Sequence, residues 1–299
     1  MSRWVVAPEK VVRFYPSGPL TTQINIFMDL VTITCNEDIE LCVYQLKSIH
    51  KYVEPCTVHI VINEPDIKSA KISINKQKRR MIRHNVKIWS RNQVFKTKDT
   101  FKNGWVSQQL LKLLMPLDND YVVLDCKDIF LKQTAIIDIV KLQYKKQPNL
   151  AECKTWGSFF NLIHRQLHNR YESKLKLVGG FNGIQTPRLI KKSVVLEIIK
   201  VWGSKKKFIK WWAGLKCSMS EFILYDYVAY CKNEKLPNNQ RFKEHEIVGI
   251  WNMDMYNTNQ EVDLNNIQEE TRILKIHKRV FNNVEVKPIL QKWLDKRLK

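Results

Sequence analysis

Apolar and polar residues alternate in blocks along the first half of this chain, and the blocks predict strands and helices in turn. Apolar runs at 24–34, 58–62, 86–89 and 121–124 predict strands, and the run at 58–62 is apolar throughout, as in a strand buried on both faces. Helical spacing of apolar residues from Leu41 onwards and a run at 104–115 that ends before Pro116 predict helices between them. The alternation predicts an α/β fold with a mostly parallel central sheet flanked by helices.

The second half of the sequence is less regular. A polar loop is expected at 90–103, before the helix that precedes the fourth strand. Beyond it the sequence predicts helices at 159–171, from Pro187 to about Trp202, at 218–231 and at 287–299, and a strand at 272–276.

The composition is that of a globular protein: 299 residues, of which 44% are hydrophobic and 26% are charged. No apolar run reaches the roughly 18 residues that a membrane span needs, and residues 1–18 lack the apolar centre of a signal peptide. Seven cysteines without CxxC spacing indicate neither a zinc site nor a disulfide framework. We therefore expect a cytoplasmic protein.

The formal net charge of +21 favours anionic partners, although lysine also keeps surfaces hydrated. Basic residues are spread along the chain apart from clusters at 76–83 and 205–210, which argues against a dedicated nucleic-acid face. The segment 287–299 is basic and carries Ile289, Leu290, Trp293 and Leu294. It therefore predicts either peripheral membrane contact or a helix that packs on the domain.

The segment 121–128 carries the strongest functional signal. Apolar residues 121–124 lead directly into Asp125, which is followed by Lys127 and Asp128. A carboxylate at the end of a buried strand is costly unless a cation or hydrogen bonds compensate it, and open α/β sheets bind ligands beyond the carboxyl ends of their strands. The two carboxylates converge only if the chain turns sharply after Asp125. The pattern predicts a metal or nucleotide-sugar site, with a plain strand-end turn as the alternative.

Three other segments carry candidate chemistry. Glycines around Asn182, at 179–183, permit close approach of the backbone to a ligand, or form a plain turn. Glu221 lies in the first turn of a predicted helix, where it is either a catalytic base or a residue favoured by the helix dipole. His277 follows the strand at 272–276 and is either a ligand or a structural histidine.

A polar and aromatic stripe, formed by Trp105, Gln108, Gln109 and Lys112, precedes the acidic strand. Spacings of three and four place Trp105, Gln108 and Lys112 near one face of the predicted helix. Trp105 is therefore either a platform for a sugar or base, or a core residue.

The order of these motifs resembles the GT-A fold of nucleotide-sugar glycosyltransferases. In that fold a nucleotide-binding half leads to an acidic DxD motif, a glycine-rich loop, an acidic helix start and a C-terminal histidine. The matching segments here are 125–128, 179–183, 220–221 and His277. The segments 34–38, 104–109 (Gly-Trp-x-x-Gln-Gln) and 220–225 (Ser-Glu-Phe-x-Leu-Tyr) are also similar to small bacterial and phage glycosyltransferase-like proteins, and the resemblance spans roughly residues 25–280.

The resemblance implies one GT-A-like domain with a nucleotide-binding half at about 20–130, an acceptor half at 131–280 and a basic C-terminal helix at 281–299. It implies transfer of a sugar from a nucleotide-diphosphate donor, by family likeness a UDP-sugar, to a saccharide or other hydroxyl acceptor, with Glu221 as the base of an inverting reaction. The implied nucleotide and donor residues are Thr34, Asn36, Asp38, Trp105, Gln109, Asp125, Lys127 and Lys278. The implied sugar and acceptor cleft contains Gly180, Asn182 and Gly183.

Lys127 stands where the DxD motif has its second acid, and two versions of the site remain open. In one, Mn²⁺ or Mg²⁺ is held by Asp125, Asp128 and His277 and neutralises the leaving diphosphate. In the other, Lys127 and the basic pair 278–279 hold the diphosphate without metal, and Asp125 contacts the ribose.

Two rival classes remain. A metal-dependent nuclease would need further acids, such as Glu37, Asp38 and Glu221, to converge on Asp125. A non-catalytic GT-A-like binding module would keep the fold and lose the chemistry, and the altered DxD motif favours it. Binding of a nucleotide diphosphate and transfer of a sugar distinguish the three classes.

Overall fold

The computed structural model of the protein describes residues 28–64, 67–96, 101, 104–142, 162–163, 165–167, 171, 186–215, 220–232, 234, 247–250, 264, 267 and 269–299. The strands are β1 (Asp29–Thr34), β2 (Thr57–Ile62), β3 (Asn85–Ser90), β4 (Tyr121–Asp125), β5 (Asp128–Phe130), β6 (Arg188–Ile190), β7 (Ile247–Ile250) and β8 (Ile273–Ile276). The helices are α1 (Ile39–Tyr52), α2 (Lys68–Lys78), α3 (Arg91–Phe95), α4 (Gly104–Leu113), α5 (Ile136–Leu142), α6 (Lys192–Val201), α7 (Lys205–Ala213), α8 (Glu221–Cys231), α9 (Lys278–Phe281) and α10 (Val286–Leu298).

The central sheet has the strand order β3-β2-β1-β4-β6. Strands β1 to β4 are parallel, and β6 runs antiparallel to β4 at the edge. The sequence therefore predicted the fold class correctly: the sheet is mostly parallel and is flanked by helices. From β1 the chain moves outward through β2 and β3, then returns to β4 on the other side of β1. Open α/β sheets bind ligands at such a reversal point, beyond the carboxyl ends of the two strands.

Strand β4 supplies side chains to hydrophobic cores on both faces of the sheet. Tyr121 and Val123 pack with helices α4, α6, α7 and α8, whereas Val122 and Leu124 pack with α1, α2 and α5 on the opposite face. Successive side chains of a strand point to opposite faces. The unbroken apolar run that predicted this strand is thus required by its position between two layers of helices.

A second sheet, of order β5-β8-β7, adjoins the first. A turn at residues 126–127 carries the chain from β4 directly into β5, which pairs antiparallel with β8. Helix α10 packs beside this sheet and buries Leu290 and Leu294, while Ile289 is exposed. Of the two predictions made for residues 287–299, packing on the domain is therefore the one that holds for the buried apolar residues of α10. Among the described residues, none of the helices has both the length and the apolar character for crossing a membrane.

Two expectations for local structure were wrong. Residues 188–190 form β6, and helix α6 begins only at Lys192, whose backbone N–H donates to Asp120 at 2.8 Å. Pairing with the open edge of β4 overrides the tendency of Pro187 to open a helix. The expected polar loop at 90–103 contains α3, whose Ser90 and Gln93 form a capping box that the sequence displays as Ser-x-x-Gln.

A buried ion pair joins β6 to α8. Arg188 is 5% exposed and Asp226 is 4% exposed, and the guanidinium carbon of Arg188 lies 4.7 Å from the centre of the Phe222 ring. The same two parts of the fold are also joined by Lys191 and Glu234, 3.1 Å apart and partly exposed.

We expect Asp226→Asn to lower the free energy of unfolding by about 3–5 kcal/mol, because it removes the carboxylate that pairs with a buried guanidinium. The matched control is Glu234→Gln, which removes a carboxylate from the partly exposed pair and should cost at most about 1 kcal/mol. Urea denaturation of both variants measures the difference. Equal losses would show that burial does not decide the contribution of these pairs.

Candidate active site

The carboxyl ends of β1 and β4 lie side by side. Ile33 is the register partner of Asp125, and Asn63, just after β2, donates its backbone N–H to the carbonyl of Thr34 at 2.8 Å. The side chain of Asn63 also holds the start of α4, because its Nδ2 donates to the carbonyl of Gly104 at 2.7 Å. Trp105, which is 40% exposed, is thereby placed at the same edge of the sheet.

The predicted nucleoside residues follow β1 in a 3-10 turn at Asn36–Asp38. Thr34 is buried, Asn36 is exposed, and Asp38 is 6% exposed. One oxygen of Asp38, Oδ2, accepts from the thiol of Cys35 at 3.5 Å, whereas the buried Oδ1 has no hydrogen-bond partner among the described residues. A buried acceptor without a donor is costly, so Asp38 offers a position for a ligand N–H or O–H group.

The chain turns sharply after Asp125, as convergence of the two carboxylates requires. The backbone N–H of Asp125 donates to Oδ2 of Asp128 at 2.9 Å. The other oxygen of Asp128 lies 2.9 Å from the ammonium of Lys275 on β8. Asp128 is fully buried, and through these two contacts it closes the turn and joins β4 to the second sheet.

Lysines surround the carboxylate of Asp125. The ammonium of Lys127 lies 3.9 Å from it. Burial acts to raise the pKa of Asp125, but the charges of Lys127, Lys112 and Lys275 outweigh burial and lower the pKa. Burial likewise acts to lower the pKa of Lys127, and the nearby carboxylate of Asp125 reverses that effect, so its pKa is raised. The strand end is thus an ionised carboxylate among ammonium groups.

His277 and Lys278 follow β8 at the same edge. His277 is the N-cap of α9, and its Nδ1 accepts from the backbone N–H of Arg279 at 3.3 Å. Burial and the neighbouring cations, Lys127 foremost, lower the pKa of His277, so the imidazole is neutral at pH 7. Lys278 pairs with Glu37 at 2.9 Å. Across the residues that are described, no group of three or more His, Cys, Asp or Glu side chains is arranged to hold a metal ion.

Glu221 begins α8 and is 2% exposed. Its Oε1 lies 2.8 Å from the ammonium of Lys112 on α4. The hydrogen-bond network assigns the amide of Gln109 an orientation in which its nitrogen donates to Glu221 and its oxygen accepts from Trp105 Nε1 at 2.9 Å. Gln109, which belongs to the expected stripe, therefore shares a helix face with Trp105 and Lys112.

Lys112 connects the two acidic parts of the site. Burial acts to lower its pKa, but the carboxylates of Glu221 and Asp125 together raise it, so the ammonium stays charged. For Glu221 burial is the larger influence, and it raises the pKa against the opposing charge of Lys112. One buried cation is therefore paired with the predicted catalytic base, Glu221, and its charge also acts on the predicted donor residue, Asp125.

The structure brings most of the predicted site residues to one edge of the sheet. Gly180, Asn182 and Gly183 lie outside the described residues. Sequence reasoning assigned no site role to Lys112 or Lys275, the two cations that compensate the acids. Their side chains reach the site from α4 and β8, and only the spacing of Lys112 from Trp105 gave a signal for either.

Comparison with known proteins gives similarity at the level of structure. No protein-family model matches the chain, and no curated protein matches it in sequence. The bifunctional glycosyltransferase WbbM in its apo form is 8% identical with a TM-score of 0.45, and the match covers 86% of this chain and 47% of that chain. The present chain thus spans about half the length of WbbM.

A second similar structure is the galactosyltransferase LgtC in complex with donor and acceptor sugar analogues. It is 8% identical with a TM-score of 0.45, and the match covers 91% of this chain and 95% of that chain. An active-site mutant of LgtC is 11% identical with a TM-score of 0.44, at coverages of 90% and 95%.

We expect Lys112→Met to lower the free energy of unfolding by about 3–5 kcal/mol, because it leaves the Glu221 carboxylate buried without its ammonium. Lowering the pH should restore part of the loss, since protonation of a buried glutamate with a raised pKa removes the charge. Adding Glu221→Gln to Lys112→Met should also recover about 1–3 kcal/mol. Urea denaturation of the two single variants and the double variant measures this coupling. Strictly additive losses would contradict it.

Proposed function

We propose that this protein transfers a sugar from a nucleotide-diphosphate donor to a hydroxyl acceptor at the carboxyl edge of its central sheet. One observation carries the proposal: Asp125 and Lys127 lie at the reversal point of the strand order, and the charge of the buried Lys112, which is paired with Glu221, acts on Asp125. That place combines a charged position for a diphosphate with a carboxylate of raised pKa.

The nucleoside would occupy the crevice between β1 and β4. The unpartnered Oδ1 of Asp38 would accept a hydrogen bond from the nucleoside, and Asp125 would accept one from a ribose hydroxyl. Trp105, 40% exposed, offers a face on which a ring can stack. Resemblance favours UDP as the nucleotide.

The residues that the resemblance assigns to a metal ion fit a cation poorly. One oxygen of Asp128 accepts the backbone N–H of Asp125, and the other lies 2.9 Å from the ammonium of Lys275. The carboxylate of Asp125 already has Lys127 at 3.9 Å. Because lysines already lie beside both carboxylates, the site favours an anion over a further cation. In the proposed reaction Lys127 and Lys278 therefore bind the diphosphate.

In the proposed step the acceptor hydroxyl oxygen attacks the anomeric carbon while its proton passes to the carboxylate of Glu221. The bond from that carbon to the diphosphate oxygen breaks, and its electron pair stays on the diphosphate. The ammonium of Lys127 stabilises the charge that develops there. Attack opposite the leaving group inverts the anomeric configuration.

A second candidate is a non-catalytic module that binds a nucleotide diphosphate. The favouring observation is that Glu221 is 2% exposed and is held by Lys112 and Gln109, as a structural carboxylate would be. Sugar transfer separates the two candidates, because both would bind the nucleotide.

We expect UDP to raise the melting temperature equally in EDTA and in Mn²⁺, since a ligand at 100 times its Kd stabilises by about 2.7 kcal/mol. Lys127→Ala should raise the Kd tenfold or more, because a hydrogen bond to a charged group contributes about 1.5–3 kcal/mol. The matched control is Lys200→Ala, an exposed lysine of α6 whose loss should leave the Kd unchanged.

The companion variant Lys127→Asp restores the second acid of a DxD motif and should make UDP binding depend on Mn²⁺. Thermal shift and calorimetry measure both effects. UDP binding to the unaltered protein that disappears in EDTA would contradict the lysine-based site.

We expect Glu221→Gln to abolish sugar transfer, a loss of at least about 10²-fold, while UDP binding persists. Product release from a UDP-sugar panel measures transfer, and the anomeric configuration of the product reports inversion. Retained UDP binding shows that the variant is folded. Retention of most activity would remove Glu221 from the role of base.

A further inference from the structure

A basic groove lies at the far end of α1 from the candidate active site. Its cavity measures about 610 Å³ and lies between the last turns of α1, the end of α2 with the turn after it, and the end of α10. Helix α1 begins next to Asp38, and its rise of about 1.5 Å per residue puts Lys51 roughly 20 Å away. The groove is therefore separate from the proposed reaction. Its polar lining includes Lys47, His50, Lys51, Arg80, Arg83 and Asp295.

The wall formed by α10 is fixed to α1 by three contacts. Lys47 pairs with Asp295 at 2.9 Å. The ammonium of Lys51 and the hydroxyl of Tyr52 both donate to the carbonyl of Arg297, at 3.0 and 3.1 Å. The groove is thus a built feature of three packed helices.

The charge of the groove is unbalanced. Among the described residues that line it, the one acidic side chain is Asp295, and Lys47 pairs with it. In the part of the chain that the structure describes, Arg80 and Arg83 are exposed and have no carboxylate partner. The Nδ1 atom of His50 is buried in the same lining and has no hydrogen-bond partner among the described residues. Cations of like sign held close together repel one another, and an anion between them removes that cost.

We propose that this groove binds a ligand with clustered phosphate groups. Its volume is within the range of about 300–1,000 Å³ that small-molecule sites occupy. Guanidinium groups bind phosphate through two parallel hydrogen bonds, which suits Arg80 and Arg83. The concave shape favours a compact phosphorylated group, which a soluble metabolite and a phosphorylated lipid headgroup both provide.

Calorimetry with inorganic tripolyphosphate at physiological ionic strength tests the proposal. We expect saturable binding that Arg80→Ala/Arg83→Ala weakens tenfold or more. Arg80→Lys/Arg83→Lys should weaken it less, because charge is kept and the paired geometry is lost. The matched control is Lys206→Ala/Lys207→Ala, which removes two exposed lysines of α7 on the opposite face of the sheet. Thermal melts confirm that all variants are folded.

A second arm uses vesicles of phosphatidylcholine with and without a phosphoinositide bisphosphate. Vesicle binding that tripolyphosphate displaces would identify the ligand as a lipid headgroup, and tripolyphosphate binding alone would identify it as soluble. Absence of saturable binding would overturn the proposal. Equal weakening by Arg80→Ala/Arg83→Ala and by the control Lys206→Ala/Lys207→Ala would also overturn it, since net charge alone would then account for binding. UDP binding to the same variants should be unchanged, which separates this site from the proposed active site.

Discussion

Compensation of buried and partly buried carboxylates by lysine is the interaction on which this structure depends. Asp125, Asp128 and Glu221 lie at or near the carboxyl edge of the sheet, and each has an ammonium group close by. An unpaired ion in such surroundings costs several kcal/mol. The lysines come from the turn after β4, from β8 and from α4. These charges therefore join the two sheets and connect α4 with α8.

The turn after β4 shows how this requirement shapes the fold. Asp128 accepts the backbone N–H of Asp125 and pairs with Lys275, so one side chain both closes the turn and starts the second sheet. Asp125 is left facing the crevice with Lys127 beside it. In this arrangement Asp128 is a structural acid, and the ammonium of Lys127 lies next to Asp125.

The parts of the fold that were predictable are those decided by local pattern. The apolar run of β4 and the helical spacing of α1 follow from burial alone, and both elements lie within a few residues of their expected bounds. Strand β6 was missed because its three residues form a strand only where the edge of β4 is open. Lys275 gave no signal, because its importance depends on Asp128, which is 147 positions away along the chain. The acids and Lys127 were visible in the sequence, whereas the pairing of Lys275 with Asp128 and of Lys112 with Glu221 was not.

The alternation of β4 side chains between the two faces of the sheet has a consequence for folding. Tyr121 and Val123 belong to one core and Val122 and Leu124 to the other, and β1 is divided in the same way between Leu30 and Val31. If either helical layer separates from the sheet, β1 and β4 lose the packing on one of their two faces, and the core on the other face depends on the same strands. The two cores should therefore melt in a single cooperative transition, and the amides of β1 and β4 should exchange with solvent only when the whole central sheet unfolds.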